Sequence, residues 1–341
     1  MYKKLVTLAL AASLCGALSA QAADPVVLSY QRNFIRASIS TKLELLSDAS
    51  RIGTVNMTPL YVDALAFVKQ YYPVLGGDSQ LLDIATVSVT KIASFSDLSA
   101  ETPIEEIFSL IPDARVRIAC IDSLSSLPQG GHRTEFLNNW FASAIDAAKP
   151  DATDVKTIAA CATALGRIGD GSSFDALFKA ANGSADSSVI AASTMAVNSL
   201  QSGYTDKILG KISQNNLQES YAAYSLAARK ENLAASDRGK IAEAAFTVAV
   251  STPTAQSGSQ IAPETAAVAT ARAGLLKDSM ADLKRLRWSQ AGSAVTKYFY
   301  AVQADYKSGK TGIDRLIPVI NCMGSMQSNE AAQALSIFLG L

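Results

Sequence analysis

Three stretches of the chain set apolar and small residues at the same offsets. They are Val116, Cys120, Ser123, Leu124, Ser125; Thr157, Cys161, Ala164, Leu165, Gly166; and Val189, Ser193, Ala196, Val197, Asn198. Positions i, i+4, i+7 and i+8 share one face of a helix, so each stretch predicts an amphipathic helix. A second helix is expected after each turn, with Leu177 eleven residues beyond Gly166 and Leu209 eleven beyond Asn198; Gly324 and Leu335 keep that interval near the C-terminus. The copies begin 41 and then 32 residues apart, which suits a helix-turn-helix unit with a connection of variable length. Turn chemistry marks the joints at Pro128-Gln129-Gly130-Gly131, Gly169-Asp170-Gly171, Asn182-Gly183-Ser184 and Gln201-Ser202-Gly203. Upstream, Thr58-Pro59 and Thr102-Pro103 read as N-caps followed by proline at the first helical position.

Composition agrees with an all-α fold, because the chain is rich in Ala and Leu, the best helix formers, and only 7% aromatic. The polar stretch Ser251 to Gln260 reads as a loop or linker. The run Val155 to Ala181, with its Ala164-Leu165-Gly166-Arg167-Ile168-Gly169-Asp170 core, resembles a HEAT or armadillo-type repeat. The resemblance implies a right-handed α-solenoid of stacked helical hairpins with atypical terminal helices, the last acting as a cap. The expected division is a leader over 1–22, an N-terminal helical region over 23–112, HEAT-like repeats over 113–250, a linker over 251–262 and a C-terminal helical cap region over 263–341.

The leader changes the picture of where the chain works. Lys3 and Lys4 precede an apolar stretch from Leu5 to Leu18, and Ala20-Gln21-Ala22 offers small residues for cleavage after about Ala22. This predicts export, with a periplasmic location. Cys15 follows Leu14 rather than Gly or Ala, so lipoprotein processing fits less well. Without Lys3 and Lys4, the 30 basic and 30 acidic residues become 28 and 30, a charge of about minus two. No basic excess favours nucleic acid, and no later segment is long and apolar enough to cross a bilayer.

Chemistry-bearing residues are few. The single histidine, His132, lies in a Gly-rich loop, and no CxxC spacing accompanies it, so no zinc site, triad or cofactor is expected. Glu105-Glu106 reads as a solvated helix start that offsets the helix dipole. Asp170, between two glycines, reads as a turn former rather than a calcium ligand. Cys120 and Cys161 hold equivalent repeat positions, on the order of 10 Å apart in stacked helices, too far for a disulfide. They and Cys322 are expected to be buried free thiols.

Two surfaces remain as candidates for recognition. The resemblance implies that second helices line the binding surface, which nominates Asn138, Asn139, Lys179, Lys207, Lys211 and Lys240 as partner contacts. The cluster Lys284, Arg285, Arg287 and Trp288, close to Tyr298, Phe299 and Tyr300, could hold an anionic glycan, a lipid headgroup or an acidic protein face; alternatively its basic residues face water while its aromatics pack the core. The leading expectation is a non-enzymatic scaffold for a protein partner. A glycan- or lipid-binding envelope module is the alternative, and an enzyme of unrecognised type the most remote.

Overall fold

The computed structural model describes residues 24–146, 152–214, 216–251 and 264–340. The expected leader over 1–22, and all of the expected linker except Ser251, lie outside these residues. The described residues hold seventeen α-helices and no strand, so the fold is all-α. None of the helices is long and apolar enough to cross a membrane. Two compact units are present, one formed by Met1–Leu137 with Pro150–Cys161, the other by Asn138–Lys149 with Ala162–Leu341.

The first unit contains α1 (Pro25–Arg36), α2 (Ile39–Ala49), α3 (Thr58–Leu75), α4 (Ser79–Ile92), α5 (Glu101–Leu110) and α6 (Ala114–Ser126). Helix α7 (Arg133–Ile145) and helix α8 (Ala152–Ile168) contribute residues to both units. The second unit continues with α9 (Phe174–Asn182), α10 (Ser187–Ser199), α11 (Thr205–Ser213), α12 (Leu217–Arg229), α13 (Ala235–Val250), α14 (Ala266–Leu286), α15 (Gly292–Lys307), α16 (Ile313–Ser325) and α17 (Asn329–Leu339).

Inside the first unit, each odd helix packs with its successor, and every helix packs with the next but one. The odd helices α1, α3 and α5 form one layer, and the even helices α2, α4 and α6 form another. In the second unit α12, α14 and α16 pack in series, as do α11 with α13 and α15 with α17. The predicted stripes face these contacts: Val116, Cys120, Leu124, Cys161, Ala164, Leu165, Val189 and Val197 are all buried. Asn198 breaks the pattern and is exposed, whereas its counterpart Gly166 is buried. Cys120, Cys161 and Cys322 are free and buried, and burial pushes all three thiols up.

Side-chain bonds between segments far apart in sequence recur at nearly one interval. Gln31 Nε2 donates to Asp63 Oδ2 at 2.8 Å, and Arg115 Nη1 meets Asp83 Oδ1 at 3.2 Å, each across 32 residues. Lys179 Nζ reaches Asp146 Oδ1 at 2.6 Å across 33, and Lys207 Nζ reaches Asp175 Oδ2 at 2.7 Å across 32. Ser199 Oγ donates to the Gly166 carbonyl at 2.9 Å across 33. The interval therefore extends N-terminal to residue 113, where the sequence repeats are no longer legible.

The helix ends explain how the turns hold. Ser38, Asp78, Asp113, Asp186, Asn216 and Thr265 cap the even helices α2, α4, α6, α10, α12 and α14 by accepting from first-turn N–H groups. At the other ends, basic side chains satisfy carbonyls that the helix leaves without partners. Lys42 Nζ donates to the Ala37 carbonyl just after α1 and also to that of Phe34, which the Ala37 N–H shares; Arg238 Nη2 donates to Lys230 after α12, and Arg272 Nη1 to Ala249 and Ser251 at the end of α13. The expected Thr-Pro caps differ in detail: α3 starts at Thr58 itself, whose N–H is capped by Asn56 Oδ1, and α5 starts at Glu101, one residue before Thr102.

Lys230 is the most enclosed of these cations in the second unit, 5% exposed, with Nζ 2.8 Å from the Leu200 carbonyl, 3.1 Å from that of Asn198 and 4.0 Å from the Tyr204 ring centre. Burial lowers its pKa from 10.5 to about 8. The unfolded chain therefore keeps a proton that the folded chain has released between these values, and stability rises with pH across that window. Chemical denaturation between pH 7.5 and 9.5 is expected to show this rise in the wild type and a flatter profile in Lys230→Met. An identical profile in the variant would place the titration elsewhere.

Candidate functional site

The first unit brings Glu101, Glu105 and His132 together. On α5, Glu101, Ile104, Glu105 and Phe108 fall at i, i+3, i+4 and i+7, so the stripe that buries Ile104 and Phe108 buries both carboxylates as well. The side chains of Glu101 and Glu105 are only 6% and 9% exposed. Glu105 is thus not the solvated helix start expected from its sequence; only its neighbour Glu106 is, paired at the surface with Lys69 Nζ at 2.8 Å.

The loop between α6 and α7 folds onto this stripe. The His132 backbone N–H donates to Glu101 Oε1 at 2.7 Å, its Nε2 lies 2.8 Å from Glu105 Oε2, and its Nδ1 lies 3.8 Å from Glu101 Oε1. A Cβ at Gly131 would stand 1.8 Å from Glu101 Oε2 at a strained φ of +66°, so a side chain there would push the Glu101 carboxylate from its place. Arg133, 4% exposed, ties the loop down by donating from Nη1 to the Pro128 and Gly130 carbonyls. Burial raises the Glu105 carboxyl above the usual range; His132 lowers it in part, and Glu101 adds to the rise. Burial also lowers the Arg133 guanidinium.

A second feature of the same unit is a surface groove of about 510 Å³ between α3 and α5. Val62, Leu65 and Ala66 meet Pro103 and Ile107 across its apolar floor, and the half-exposed Lys69–Glu106 pair stands at its rim. None of these residues was nominated by the sequence. The signal was available, since Pro103 and Ile107 flank Glu106 on the side of α5 that turns away from Glu105.

The nominated residues of the second unit lie mostly in ion pairs. Lys179 is bonded to Asp146; Lys207 and Lys211 share Asp175, at 2.7 and 3.5 Å; Lys240 pairs with Asp237 at 3.7 Å within its own helix. These two lysine bonds to Asp175 hold its carboxyl below the usual range despite its partial burial. Asn138 Nδ2 donates to Ser172 Oγ at 3.4 Å, and Asn139 is exposed. Helices α9 and α11 thus carry a row of paired but solvent-reachable charges.

Several members of the basic and aromatic cluster have partners within the second unit. Trp288 lies over Gly239 of α13, where a Cβ would come within 2.3 Å of its ring, and its Nε1 donates to Glu243 Oε2 at 2.8 Å. Arg285 is held by Asp282 Oδ1 at 2.7 Å, and Asp282 Oδ2 also accepts from Tyr224 Oη at 2.7 Å. Phe299 is buried and Tyr298 meets Phe246 edge-on at 5.7 Å. Lys284 and Arg287 remain exposed, Arg287 closing α14 in the left-handed conformation.

No protein-family model matches the sequence, and no curated protein matches it. A functional reading therefore rests on the residues and their arrangement.

Proposed function

We propose that the chain is an exported, non-enzymatic scaffold of the HEAT-like type, a right-handed stack of helical hairpins that holds a protein partner on its odd-numbered helices. The observation that carries this reading is the side-chain bond repeated every 31 to 33 residues from Gln31 to Lys230, the mark of one structural unit used again and again. A stack of this kind offers successive equivalent helices to a partner, and such repeats bind by complementarity over an extended surface. The groove between α3 and α5 fits the need for an anchor, with an apolar floor and the Lys69–Glu106 pair at its rim. Its occupant is an amphipathic protein segment that places one apolar side chain over Leu65 and Ile107 and sets charged groups against Lys69 and Glu106. The row formed by Lys179, Lys207 and Lys211 adds exchangeable polar contacts. The glycan or lipid alternative has less support, because Trp288 and Arg285 already have partners within the second unit.

Ala66 is exposed at the groove, so Ala66→Trp fills it without entering the core. Crosslinked capture from the source envelope extract is expected to recover one stoichiometric protein with the wild type. Capture by Ala66→Trp should fall about tenfold or more, equivalent to at least about 1.4 kcal/mol. Equal capture by the two proteins would remove the groove from the account.

A further inference from the structure

We infer that Glu101, Glu105 and His132 form a binding site for one first-row divalent cation of the zinc type, a property independent of the scaffold reading. One ligand atom from each of the three side chains falls within 4.8 Å of the others. A tetrahedral zinc ion with bonds of about 2.0–2.1 Å needs ligand atoms about 3.3 Å apart. The 2.8 Å separation of His132 Nε2 from Glu105 Oε2 would open by about half an ångström, and the longest would close by at most about 1.5 Å, both within reach of side-chain rotation.

Three further observations point to a ligand. Glu105 Oε1 is buried and has no hydrogen-bond partner, although its side chain is 9% exposed and its other oxygen already faces the imidazole. A buried carboxylate oxygen left in this state is costly, and a metal bond satisfies it. The enclosed charge is also unbalanced, with two carboxylates against the single guanidinium of Arg133, whose Nη1 is spent on loop carbonyls. Finally, the His132 side chain is 57% exposed, which gives an ion a way in and leaves coordination positions open to water. Imidazole with two carboxylates selects zinc or a similar transition ion; calcium would require six to eight oxygens.

The test is titration of the purified protein with Zn²⁺, read by calorimetry and by the NMR signals of its one imidazole. One Zn²⁺ per chain should bind, shifting the His132 ring signals. Glu105→Gln and His132→Asn, checked for retained helicity by circular dichroism, should each weaken binding about tenfold or more, the loss expected when metal ligation is disturbed. Zn²⁺ binding at full strength in Glu105→Gln would reduce the site to an exposed imidazole and overturn the inference. So would ring signals of the wild type that do not move when Zn²⁺ is added, a result that does not depend on any variant folding.

Discussion

Gly166→Val is expected to destabilise the protein by about 2–3 kcal/mol, a loss that chemical denaturation would show as an earlier midpoint. Gly166 sits in α8 where α10 crosses it. A Cβ there would lie 2.7 Å from Ala196 Cα, 2.8 Å from Ala196 Cβ and 2.9 Å from Ser199 Oγ. The first of these is backbone and cannot rotate away, so α10 itself must shift, and the Ser199 bond to the Gly166 carbonyl is strained with it. Glycine costs a helix up to about 1 kcal/mol relative to alanine, and that gain on replacement only partly offsets the overpacking. Gly210 of α11 supplies the control, because nothing lies within 4 Å of its added Cβ. Gly210→Ala is expected to stabilise by about 0.5–1 kcal/mol. Opposite signs at two helical glycines would show that close stacking, rather than helix propensity, fixes residue 166.

Trp288→Ala is expected to cost about 3 kcal/mol, the lower end of the range for a large aromatic, since the indole is partly exposed. Three losses combine. The ring leaves a hollow over Gly239, Glu243 loses the indole N–H, and the junction of α13 with the segment following α14 loosens. Gly239 and Trp288 act as a matched pair, so Gly239→Leu should be destabilising on its own and should not add fully to Trp288→Ala. The same variant separates the two readings of the basic cluster. If Trp288 is a packing residue, its loss lowers the unfolding temperature while any binding of anionic vesicles stays unchanged; loss of vesicle binding with unchanged stability would restore the cluster as a ligand surface.

How far the sequence disclosed this molecule depends on how local the information is. The stripe through Cys161, Ala164, Leu165 and Gly166 was legible because helical periodicity and the demand for small residues at a close crossing are both written within one turn or two. The all-α class followed from the same pattern. The burial of Glu105 was masked by its position just after Pro103, where acidic residues usually face water. The spacing of Glu101, Ile104, Glu105 and Phe108 carried the contrary signal, and His132 stands 31 residues from Glu101, close to the repeat interval. Trp288 left two readings open for another reason: its partners Gly239 and Glu243 are 45 or more residues away, and only the fold brings them to it. The lysines nominated for a partner lie on odd helices, but the aspartates that meet Lys179, Lys207 and Lys211, Asp146 just after α7 and Asp175 on α9, depend on stacking register, which periodicity does not encode.

Crosslinking of the protein to its captured partner, mapped lysine by lysine with mass spectrometry, tests the scaffold account most directly. The account predicts crosslinks at Lys69, Lys179, Lys207, Lys211 and Lys240, which lie on the odd helices α3, α9, α11 and α13. Crosslinks confined to Lys91, Lys277 and Lys284, on the even helices α4 and α14, would contradict it.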